Sequence, residues 1–75
     1  SANTATDSRQ VTITGRQVYV RREPSLSGKT MDVLYKGETA IYLEQSSVDS
    51  RGVTWYNVRT DSGAGWVSSK YATVK

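Results

Sequence analysis

The side chains that could do chemistry in this chain are acids, guanidiniums, hydroxyls and aromatic rings, because the sequence holds no Cys and no His. That removes thiolate nucleophiles, disulfides, the usual zinc ligands and the side chain best matched to proton transfer near neutral pH. Asp32, Glu38, Glu44, Asp49 and Asp61 fall on different segments, and no two have a spacing that argues for acid–base or metal work. Gly28-Lys29-Thr30 imitates the end of a phosphate-binding loop. That loop needs glycine where Glu23 stands, and a strand-loop-helix setting that the flanking sequence lacks. No catalytic, cofactor or metal residue is assigned, and the expectation is a domain that binds rather than catalyses.

The residues suited to binding are Tyr19, Arg21, Trp55, Arg59, Trp66 and Tyr71. Aromatic rings supply contact area with a polar tip, and guanidiniums pair with carboxylates or phosphates. Tyr19 and Arg21 are two residues apart and Trp55 and Arg59 four apart, so in extended chain each pair shares a face. Trp55, expected on an outward face beside Arg59, reads as a ligand contact, since an exposed indole is costly without a use. Trp66 and Tyr71 read as packing at least as readily as ligand contact, because large aromatics in small domains mostly pack. Arg22 and Glu23 read as solvated charges.

The elements that must position these residues are strands. Val11 and Ile13 alternate with Thr12 and Thr14, and Val18 and Val20 with Tyr19 and Arg21, a period of two with no sustained helical period. Arg22 to Lys29 contains Pro24 and Gly28 and reads as a loop. Met31 to Lys36 and Thr39 to Gln45 are short strands. Asp49-Ser50-Arg51-Gly52 is a hairpin connection, with Gly at the position that needs positive φ. Val53 to Thr60 answers as the partner strand, and Ala64 to Ser69 is the next. Five to six short antiparallel strands make an all-β barrel, with the inward set Val18, Val20, Leu34, Tyr42, Tyr56, Val58 and Val67. Ser68-Ser69-Lys70 suits a single 3₁₀ turn that swings Tyr71 back over the barrel.

Residues 1 to 10, without a large apolar side chain, read as a flexible lead-in or linker, disordered over 1 to 8, and residues 11 to 75 as the barrel domain. The whole chain has 75 residues and a formal charge of +3. A domain of this size has little stability to spare for a deep cavity. The charge favours an anionic partner only mildly, because acids are interleaved with the bases. No apolar run is long enough for a signal peptide or membrane span.

The run Val18-Tyr19-Val20-Arg21, the Pro24-Ser25 after it, Leu34 with Lys36-Gly37, Trp55-Tyr56-Asn57-Val58 and the ending Gly65-Trp66-Val67-Ser68-Ser69-Lys70-Tyr71 together resemble a bacterial SH3 (SH3b) domain over residues 11 to 75. Tyr19 stands where Asn is usual, Arg22 replaces a small residue, and Glu23 replaces the Gly before Pro24; these departures bear on ligand identity more than on fold. The resemblance implies an extracytoplasmic, monomeric targeting module, often attached to a peptidoglycan hydrolase, that binds peptide parts of the wall with no cofactor. A shallow aromatic groove suits glycine- or alanine-rich peptide, with Arg pairing carboxylates. Two other classes share these aromatics: a basic small barrel that stacks single-stranded nucleic acid, and a protein-peptide interaction module. Ten bases against seven acids, with no cluster, give a weaker field than nucleic-acid binders usually show. The acidic first loop with which eukaryotic SH3 domains meet basic peptides is missing as well.

Overall fold

A computed structural model describes residues 9–74; the disorder expected over residues 1 to 8 lies outside the described residues. The described chain forms seven strands and no helix: β1 (Gln10–Ile13), β2 (Gln17–Arg21), β3 (Thr30–Tyr35), β4 (Thr39–Val48), β5 (Thr54–Thr60), β6 (Gly63–Ser68) and β7 (Ala72–Val74). They make one antiparallel sheet in the order β3-β2-β6-β5-β4-β1-β7. Among the described residues no helix is long and apolar enough to cross a membrane.

The sheet is curled. Val18 and Val20 on β2 and Val11 and Ile13 on β1 lie four places apart in the strand order, yet they share a single buried cluster with Ala40, Val58, Val67 and Ala72. The Gly37 N–H donates to the Ile13 carbonyl (2.9 Å) and the Lys36 N–H to the Arg16 carbonyl (3.3 Å), which bring the end of β3 against the end of β1. The all-β barrel expected from the period-two pattern is therefore the observed architecture, with its inward set as read: Val18, Val20, Val58 and Val67 are buried, while Leu34, Tyr42 and Tyr56 pack against them. Tyr42 and Tyr56 meet edge to face with centroids 5.6 Å apart, the arrangement that the ring quadrupole favours.

Gly65 lets β6 cross this core closely. A Cβ there would stand 2.5 Å from Val20 Cγ1 and 2.7 Å from the Met31 sulfur, so no larger residue fits without displacing both. On β4 a bulge lets the four-residue step from Tyr42 to Ser46 face the two-residue step from Val58 to Tyr56. Glu44 within it adopts a left-handed backbone, φ 61°, and its carboxylate takes both the Nε (3.0 Å) and an Nη (2.6 Å) of Arg9.

The strand count differs from expectation. It is seven rather than five or six, because Ala72–Val74, too short to show a period, pairs with β1 through Ile13–Ala72, Thr12–Thr73 and Val11–Val74. Within the described residues, Gln10 opens β1 opposite Ile41, and the Arg9 carbonyl accepts the Tyr42 N–H at 2.9 Å. The single tight turn expected before Tyr71 is present as one i→i+3 bond, from the Tyr71 N–H to the Ser68 carbonyl (3.1 Å).

Candidate functional site

Val67 and Val58 face the core, so by the period of two Ser68 and Trp66 on β6 and Trp55, Asn57 and Arg59 on β5 face the other way. Tyr19 and Arg21 on β2 do the same. At one end of this outer face lies a cleft of about 230 Å³. Its rim holds Tyr19 at 46 % exposure and Tyr71 at 50 %, together with the exposed Leu26. Its floor is Trp55, only 2 % exposed, and Ser68, 5 % exposed, which sit directly opposite each other across β5 and β6.

Trp55 therefore has the expected parity but not the expected exposure. It points away from the barrel core and is covered, because Ser68 lies beside it and the rim residues close around it. Its indole N–H is also committed: it donates to Asp49 Oδ2 at 2.9 Å. Asp49 organises the whole end of the β4–β5 hairpin. Its Oδ1 accepts the backbone N–H of Arg51 (2.8 Å) and of Val53 (3.1 Å), and Oδ2 also takes an Arg51 Nη at 3.3 Å. Gly52 completes the turn at φ 83°, donating its N–H to the Asp49 carbonyl. The indole N–H and these backbone and guanidinium donors all stabilise the anion, and they hold the Asp49 carboxyl well below the usual carboxylate range despite its burial.

The rim is set by the first loop. Arg21 donates one Nη to the Gly28 carbonyl (2.9 Å) and reaches Thr30 Oγ1 (3.4 Å), while its guanidinium lies over the Tyr19 ring at 5.6 Å. The Arg22 N–H meets the Lys29 carbonyl at 2.8 Å and the Gly28 N–H the Ser25 carbonyl at 3.1 Å. Arg21 thus pins the loop that carries Leu26 to the groove, and it orients Tyr19 as well. On the far side Tyr71 is fixed through its backbone, whose carbonyl accepts from Thr14 (2.9 Å) and Gly15 (3.2 Å).

Of the six residues proposed from sequence, the groove gathers Tyr19, Arg21, Trp55 and Tyr71. Trp66 is half-buried, paired with Asn57 and Arg21 in register, and outside the groove lining. Arg59 belongs elsewhere. It lines a separate, larger cleft of about 440 Å³ with Asp32, Glu38, Asp61, Thr39 and Ile41. Trp55 and Arg59 share a face but stand about 13 Å apart at about 3.3 Å per residue. The larger cleft is walled by charged groups that water solvates well, whereas the smaller one has a buried indole floor and exposed apolar rims, which is what a ligand can desolvate at a gain. Gln17, Leu26 and Ser68 are the groove residues that sequence reasoning passed over, and Val18, read as core, lines the groove as well. Ser68 shares the outward parity of Trp66, a signal that was available; Leu26 lies in a loop whose path no period reveals.

Comparison with curated proteins and with solved structures gives no match. The bacterial SH3 domain family matches residues 16–73, from just before β2 into β7. That span includes the first loop, the hairpin built on Asp49 and both floor residues, and on it the chain belongs to the bacterial SH3 domain family.

Proposed function

We propose that this domain is a non-catalytic wall-binding module that docks a peptide segment of peptidoglycan in the groove between Tyr19, Leu26 and Tyr71, as part of an extracytoplasmic protein. Bacterial SH3 domains are often binding modules in cell-wall proteins. The observation that carries the reading is the convergence of three exposed apolar side chains on a buried indole. A cleft of about 230 Å³ is smaller than the about 300–1,000 Å³ of pockets for drug-sized ligands, so it suits a narrow, unbranched segment such as the small-residue peptides of the wall. The one guanidinium at the groove, Arg21, already spends donors on Gly28 and Thr30. That is a poor track for successive phosphates and speaks against the nucleic-acid alternative.

The test is a titration of labelled protein with soluble peptide fragments of purified peptidoglycan and, separately, with single-stranded oligonucleotide. Wall fragments should move the amides of Tyr19, Leu26, Trp55, Ser68 and Tyr71, and Tyr71→Ala should weaken binding by more than about 1 kcal/mol. Binding to oligonucleotide that falls steeply with salt, with none to wall fragments, would overturn the reading.

A further inference from the structure

Of the two buried residues at the groove floor, Trp55 and Ser68, only Ser68 has a polar side-chain group free to meet a ligand; the Gln17 amide stands at the exposed rim. The indole N–H of Trp55 is spent on Asp49 at 2.9 Å, so Trp55 offers its ring face and nothing else. Ser68 is the only buried polar residue among the described residues, and it lines the groove. Its Oγ accepts the Lys70 N–H at 3.2 Å and its carbonyl accepts the Tyr71 N–H at 3.1 Å. Both bonds use oxygen lone pairs. Among the described residues, no acceptor takes the Ser68 hydroxyl hydrogen. A hydroxyl both donates and accepts, so a residue only 5 % exposed keeps one unclaimed donor at the bottom of an open cleft. A ligand that covers it with apolar atoms would strand that donor, whereas one that sets an acceptor there gains a bond and leaves nothing unpaired.

We infer that Ser68 is the specificity-determining donor of the groove, giving its Oγ–H to a backbone carbonyl oxygen of the bound peptide while the adjacent small residue lies flat on the Trp55 ring. The inference rests on the wall-peptide reading above and narrows it. Selection falls on an acceptor next to a flat, unbranched stretch of chain. A glycyl or alanyl unit meets both demands, since it presents a carbonyl within one residue of a contact surface no wider than a methyl group. A β-branched or long side chain at that point would be caught between Tyr19 and Tyr71 before the carbonyl reached the floor.

The experiment compares wild type, Ser68→Ala and Ser68→Thr in titrations with soluble peptide fragments released from purified peptidoglycan, following amide shifts and the Trp55 indole N–H resonance. Ser68→Ala should bind about tenfold more weakly, the worth of one hydrogen bond left unmade. The free-state indole resonance should stay in place, because its partner is Asp49. Ser68→Thr keeps the hydroxyl and should recover most of the lost affinity. Equal binding by wild type and Ser68→Ala would overturn the role of Ser68 and leave the wall reading standing. Weak binding by both variants would also overturn it, pointing to shape rather than to the donor. Absence of binding by wild type would overturn the wall reading and this inference with it.

Discussion

Strand β5 carries Trp55 and Arg59 on the same outward side, yet its two ends belong to different surfaces. At the Trp55 end the charged groups and the indole find partners within the domain, and the Ser68 hydroxyl hydrogen is the exception: the indole is answered by Asp49, Asp49 by two backbone N–H groups, and one Arg21 Nη by Gly28 and Thr30. At the Arg59 end the charged side chains stand around a broad cleft, where Asp32 and Glu38 bond nearby backbone N–H groups of Val33 and Tyr35. Apart from the Ser68 hydroxyl the first surface has satisfied its own polarity, so it can lose water at little penalty to a ligand that is apolar elsewhere and sets an acceptor at Ser68. The second would have to give up hydration of several charges. Face parity alone does not distinguish the two. What does is whether the neighbouring turn and loop supply partners.

The largest effect follows from the coverage of Trp55. A side chain 2 % exposed with a bonded indole is a structural member of the hairpin, and Trp55→Ala should cost about 3 to 5 kcal/mol in chemical denaturation, comparable with the whole stability of many domains this small. An exposed ligand-binding Trp would leave the denaturation midpoint almost unmoved, and that outcome would restore the simpler reading. Next comes the opposite face of the same strand. Val58 is fully buried, and Val58→Ala should cost about 2 to 4 kcal/mol. An unmoved midpoint here would mean that the parity of β5 is reversed and the comparison groundless.

The parity itself was legible. Alternating Val18 and Val20 against Tyr19 and Arg21, and Val58 against Arg59, place every core and outer residue of β2 and β5 on the side where it is found, because a half-buried strand allows only one register of its apolar set. What parity cannot convey is what lies on top. Trp55 becomes a floor only because a loop with no periodicity brings Leu26 near it, and because Asp49, six residues earlier, turns back to take its N–H. Asp at the start of a turn that ends in Gly is a recognisable turn former, so the Asp49–Gly52 connection could be read, but its reach to an indole could not. Arg59 groups with Trp55 on the shared side alone; the four-residue spacing already implies about 13 Å, and what parity leaves out is the separate cleft that Arg59 lines.

A smaller effect tests Asp49 as the link between hairpin and groove. Its pKa is depressed in the folded state relative to an ordinary value of 3.8, so the unfolded chain binds the proton more readily. The stability it contributes is therefore fully present above about pH 4 and is lost as pH falls toward the folded pKa. The melting temperature of the wild type should drop on acidification below about pH 4. In Asp49→Asn it should start lower at neutral pH and change less over the same range. Parallel profiles for the two proteins would show that the carboxylate charge is not what holds the hairpin to the indole.

The smallest expected effect is none, and it bears most directly on the two ends of β5. Arg59→Ala should leave the affinity for peptidoglycan fragments within about twofold of wild type, because the residue lines the other cleft and its charge, about 13 Å from Trp55 along the strand, lies beyond the screening length of about 8 Å at physiological salt. Tyr71→Ala under the same conditions should lose more than about 1 kcal/mol. Were Arg59→Ala to weaken binding as much as Tyr71→Ala, one ligand would have to span both surfaces, running along the outer side of β5 past Asn57, whose side-chain amide donates to Gln45 at 2.8 Å. Salt separates a direct contact from a remote field: a contact defect should survive at high ionic strength, whereas a defect that vanishes there would be electrostatic attraction acting at a distance, consistent with the proposed docking in the groove.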